Sequence, residues 1–189
     1  MEDRVLLLTL EPSGDQIAKA VGLVAVHMGM PDVPFVRLTG ADFLPDGAYR
    51  YQVFVPPRAS EACDSASAMR AVIMDRAATA RVTVWKCTPY LFRPNLSAFQ
   101  PTVFKENLWT YAFAQSAAVN PDWFYCNFLS TLMALAFVWR MAKCEQKGRA
   151  LEKAVIALWV GAHRERRWLS KPYSDLAATV CSTLDASRG

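Results

Sequence analysis

Apolar and polar positions in the first half of the chain follow two rhythms in alternation. Residues 5–10 form a short, nearly continuous apolar run, as expected of a strand buried on both faces. Glu11, Pro12, Ser13, Gly14 and Asp15 break the run as a turn, and a helix follows. Its positions Ile17, Ala20, Val21, Val24 and Met28 share one face. Pro31 and Pro34 end that helix, and residues 34–38 restart as an extended segment. After the turn-rich stretch 40–47, residues 49–55 alternate as a strand until Pro56 and Pro57 stop it. Ser60 suits the N-cap of a second helix with Ala62, Ala66, Met69, Ile73 and Ala77 along one side. Residues 81–87 alternate again around Val82 and Val84.

The order strand, helix, strand, strand, helix, strand predicts a ferredoxin-like, split βαβ arrangement over residues 1–92, with four antiparallel strands and both helices on one face. A small doubly wound sheet competes with it. The split form is preferred because the second and third strands leave no room for a crossover helix between them.

Residues 88–102 carry Pro89, Pro94 and Pro101 without any period and read as a loop. The remainder reads as helical. Residues 104–118 are largely apolar and end at Asn120, and Asn120, Pro121 and Asp122 form a helix start. The helix they open is expected to run to Lys147, before Gly148. A third spans 149–169, with Ala154, Ala157, Leu158 and Gly161 on its packing side, and a last one follows Pro172 over 174–184. The expected fold class is therefore α+β, with a helical region over 93–189 packed around one apolar helix.

That apolar helix is residues 123–139, seventeen positions without a charge, interrupted only by Asn127, Ser130 and Thr131. A helix that is apolar all round must be wrapped in its own protein, a partner or lipid. A membrane span needs about 20 apolar residues, with ~17 as the lower limit. The polar interruptions and the amphipathic neighbours favour a central core helix over a membrane.

Composition narrows the class. Hydrophobic residues make up 53% of the chain and charged ones 20%, below a typical ~25%, and the mean hydropathy is positive. Surplus apolar surface of this kind ends in an interface. The cysteines Cys63, Cys87, Cys126, Cys144 and Cys181 are widely spaced, odd in number and lack a CxxC pair, so neither a disulfide framework nor a zinc site is expected. Free thiols and an acidic first segment unlike a signal peptide point to a reducing, intracellular compartment. Net charge is +4. Residues 1–95 are balanced at ten basic and ten acidic, and 96–189 carry eleven basic against seven acidic.

Three places could carry chemistry. The turn Glu11 to Asp15 follows an apolar strand and opens a helix, where backbone amides can hold a phosphate. Its residues resemble the EPSGD turn near the start of lipid A disaccharide synthases, a glycosyltransferase family. The likeness covers five residues and one strand, and Glu11 follows Leu10 where that family has glycine. The position of the turn, ahead of a helix, would suit an anionic substrate near Ser13, Gly14 and Asp15. As a plain turn, with Ser13 as a cap, the same residues need no function.

Second, Tyr49, Tyr51 and Phe54 are similar to the aromatic strand of an RNA recognition motif, which implies base stacking by Tyr49 and Tyr51. Asp46 and Arg50 depart from that pattern, and strands favour tyrosine in any case. Third, Arg164, Arg166, Arg167, Trp168 and Lys171 form the densest basic cluster, able to contact phosphates and stack on a base. A helix C-terminus gathers positive charge without function as well.

His27 and His163 are the only histidines, and no HExxH, GxSxG, Walker or Rossmann signature occurs. Neither catalytic residues, nor a metal site, nor a cofactor is assigned. The leading expectation is a non-catalytic subunit of a larger intracellular assembly (a shell, filament or multi-subunit complex) with protein partners, self or other. Nucleic-acid binding through the basic cluster, and a small enzyme acting on an anionic substrate, are the alternatives.

Overall fold

The computed structural model describes residues 5–9, 12–30, 33–37, 51–55, 82–92, 96–105, 108–110, 126–165 and 172–187. It is an α+β protein. The strands are β1 (Val5–Thr9), β2 (Phe35–Arg37), β3 (Tyr51–Phe54), β4 (Val82–Phe92), β5 (Leu96–Lys105) and β6 (Leu108–Thr110). The helices are α1 (Pro12–His27), α2 (Cys126–Met141), α3 (Glu145–Glu165) and α4 (Tyr173–Ala186).

The strands join in one sheet of order β2-β1-β3-β4-β5-β6. β1 pairs in parallel with both β2 and β3, with Leu7 opposite Phe35 and Val53, and β3 pairs in parallel with β4. The expected antiparallel split βαβ arrangement is therefore not the one adopted. The described strands instead take the order 2-1-3-4 with parallel pairing. The reason lies in β1. Its VLLLT run is buried at every position, Leu7 within the main apolar cluster and Leu6 and Leu8 alternating away from it. A strand covered on both faces suits the centre of a parallel sheet. β2 and β3 flank β1 and both run parallel to it, so residues 38–50 return the chain from one edge of the sheet to the other, a length that meets the dozen or so residues a parallel crossover needs.

The segment read as a loop over 88–102 is mostly strand. β4 and β5 form a long antiparallel hairpin from Val82↔Lys105 to Phe92↔Leu96, with an irregularity between Val84 and Lys86. Pro89 and Pro101 occupy pairs of the same parity, opposite Phe99 and Cys87. At these positions β3 has ended its pairing at Val84, and β6 pairs only with Val103 to Lys105. A ring nitrogen turned toward an unpaired side removes no ladder bond, which is how a strand tolerates proline. The start of the helix expected over 104–118 is also corrected, since Phe104 and Lys105 close β5 and Leu108–Thr110 is β6; the rest of that span lies outside the described residues. The helix expected over 60–77 lies outside the described residues.

Both early helix ends have a physical stop. After α1, Gly29 adopts φ 64°, Gly29 N–H donates to Val26 O at 2.9 Å, and Met30 N–H donates to Ala25 O at 3.0 Å. This is the Schellman pattern, which favours glycine at the left-handed position. After α2 the same pattern recurs with Lys143 at φ 63° and Cys144 N–H donating to Trp139 O at 2.9 Å. The expected single helix up to Lys147 thus divides, and α3 starts at Glu145.

α2 is the apolar helix. Phe128, Leu129, Leu132, Met133, Ala134, Leu135, Ala136, Val138 and Trp139 are all buried. It packs on α1, α3, β3, β4 and β5, while α4 packs on α1 and α3. One apolar cluster joins Val5, Leu7 and Val53 of the sheet to Val21 and Val24 of α1, Leu132 and Leu135 of α2, Leu151 and Val155 of α3, and Val180 of α4. The Phe128 and Tyr173 rings, 6.2 Å apart, link the first turns of α2 and α4. The described part of the apolar run is thus wrapped by its own chain. Among the described residues, no helix is long and apolar enough to cross a membrane.

Candidate functional site

Parallel strands end together, so the loops that follow them gather on one edge of the sheet. β1 is the strand from which the order departs in both directions, to β2 on one side and β3 on the other. The carboxyl edge at such a reversal is where open α/β sheets bind ligands. Here α1 begins, three residues after β1 ends.

One carboxylate organises this edge. Thr9, the last residue of β1, is fully buried, and its hydroxyl donates to Asp15 Oδ1 at 2.6 Å. The Val36 carbonyl lies 3.4 Å from the same hydroxyl, too far to compete for its one proton. Arg37, the last residue of β2, donates to Asp15 Oδ2 through Nε at 2.9 Å and also through Nη2. Asp15, in the first turn of α1, therefore ties together the ends of two strands and the start of a helix.

Burial acts to raise the Asp15 pKa. Hydrogen bonds from Arg37 and Thr9, with the charges of Arg37 and Lys19, outweigh it and hold the carboxyl below its ordinary 3.8. The bond to Asp15 in turn raises the Arg37 guanidinium. Gly14 lets the helix start this close to the strand, because a Cβ there would meet the Thr9 Cβ at 3.2 Å.

Chemically, the edge offers the amides of a first helical turn, which carry partial positive charge. The Arg37 side chain, 41% exposed, adds a cation at the rim. Asp15 is a poor general base, since its ionised form is already stabilised by two partners.

Other polar groups tie elements together. His27 Nε2 and Asp185 Oδ1 stand 2.9 Å apart, joining the last turns of α1 and α4. Lys147 Nζ donates to the Gly29 carbonyl at 2.8 Å. Burial, then the Asp185 charge, pushes the Cys181 thiol up, which disfavours the nucleophilic thiolate. Among the described residues, no group of three His, Cys, Asp or Glu side chains could hold a metal ion.

Of the residues singled out in the sequence, Gly14 and Asp15 stand at this edge, and Ser13 falls inside the first turn of α1 instead of ahead of it as a cap. Tyr51 is only 4% exposed and belongs to the apolar core, so its ring offers no open face to a base. Tyr49, Arg166, Arg167, Trp168 and Lys171 lie outside the described residues, as does the side chain of Arg164 at the end of α3. Sequence reasoning passed over Thr9 and Arg37. Their signals were a single hydroxyl inside LLLTL and a single charge closing FVR. Comparison with family models, curated proteins and solved structures gives no match.

Proposed function

We propose that the chain binds an anionic small molecule, recognised through a phosphate-like group, at the carboxyl edge of its parallel sheet. The first-turn amides of α1 receive the anion and Arg37 flanks it. The observation that carries this reading is the place of α1: its first turn, Pro12 to Asp15, begins three residues after β1, the strand at which the order reverses. The Arg37–Asp15 pair carries no net charge, so it does not repel an incoming anion; the first-turn amides supply the attraction and the remaining Arg37 N–H groups supply hydrogen bonds. The enclosure of α2 by its own chain also favours this reading over the assembly reading, because it accounts for much of the apolar surplus.

The test is the change in melting temperature with inorganic phosphate, sugar phosphates and nucleoside diphosphates. A ligand at about 100 times its Kd adds roughly 2.7 kcal/mol, or about 5–10 °C for a chain of this size. Arg37→Met is expected to diminish the ligand-induced rise, whatever its own starting temperature. If none of the three ligand classes moves the transition, the reading fails. An equal rise in the variant would place the anion elsewhere.

A second reading rests on a different observation. Leu23 and Val26, on the outer face of α1, are 57% and 61% exposed. Paired one turn apart, they favour a non-catalytic subunit of a larger assembly, in contact with itself or another protein. Sedimentation across a wide concentration range is expected to show association that Leu23→Ser with Val26→Ser abolishes. A monomer at every concentration that never co-purifies with a partner would exclude it.

A further inference from the structure

We draw no further inference here: the strongest candidate, the His27–Asp185 pair with Cys181 one turn away where the C-terminal ends of α1 and α4 meet, is a surface tie beside a lone cysteine, and no second observation there points to a ligand.

Discussion

Asp15 holds its neighbourhood by charge as much as by shape. Asparagine at this position keeps an oxygen for Thr9 but gives up the ionic bonds from Arg37. Hydrogen bonds to charged groups are stronger than neutral ones, but Arg37 is screened by solvent, so Asp15→Asn is expected to lower the urea midpoint at pH 7 modestly. The pH dependence has a definite sign. A carboxyl whose folded pKa is depressed contributes stability that is present above its unfolded value, about 3.9, and lost as pH falls through the folded value. Since the Asp15 carboxyl is held below 3.8, the wild type should lose this contribution below about pH 4. The variant should decline less steeply over the same interval. Parallel profiles for the two chains would mean that Asp15 carries no such linkage.

Between elements, α2 and α3 come close where they cross at Gly148. A Cβ on Gly148 would lie 2.6 Å from the Ala136 carbonyl oxygen and 2.6 Å from Arg140 Cγ. The arginine can swing aside, but the carbonyl is backbone. Gly148→Ala gains up to ~1 kcal/mol of helix propensity and loses about 1–3 kcal/mol to overpacking, so a net loss is expected in thermal melts. Gly161 lies in the same helix with nothing within 4 Å of its would-be Cβ. There Gly161→Ala should stabilise by roughly 0.5–1 kcal/mol. If both substitutions stabilise, the close crossing is wrong. What the sequence made legible divides along the same line between elements and their contacts. The faces of α1 and of α4 and the run of β1 repeat with their own period, and periodicity is local. Strand direction is not local: VLLLT reads alike whether its neighbours run parallel or antiparallel. Prolines at 89 and 101 masked the β4–β5 hairpin, because their tolerance depends on where β3 and β6 stop. Lys143 ends α2 in a conformation that sequence assigns to glycine. At the site, the EPSGD turn was visible, whereas Thr9 and Arg37 became partners of Asp15 only once β1 and β2 were neighbours.

For the molecule as a whole, α2 decides how the parts cooperate. It touches α1 and α3, as well as β3, β4 and β5, and the apolar cluster passes through it from sheet to outer helices. Leu135 is fully buried in that cluster. Leu135→Ala removes its contacts and leaves a cavity, at a cost of about 2–5 kcal/mol, or roughly 4–20 °C for a chain of this size. A shared core makes a prediction about probes as well as magnitude. Trp139 and Trp159 are buried in α2 and α3, and Trp85 and Trp109 belong to β4 and β6, so indole fluorescence reports on tertiary structure around helices and sheet, while far-ultraviolet circular dichroism reports on their backbone. If one core spans residues from both parts of the chain, the two signals should fall in a single coincident transition, and Leu135→Ala should shift both by the same amount. Separate midpoints, or two steps of which Leu135→Ala displaces only one, would mean that the sheet stands without α2. Coincidence would assign the apolar run of α2 the work its composition requires, joining the sheet to the helices around it.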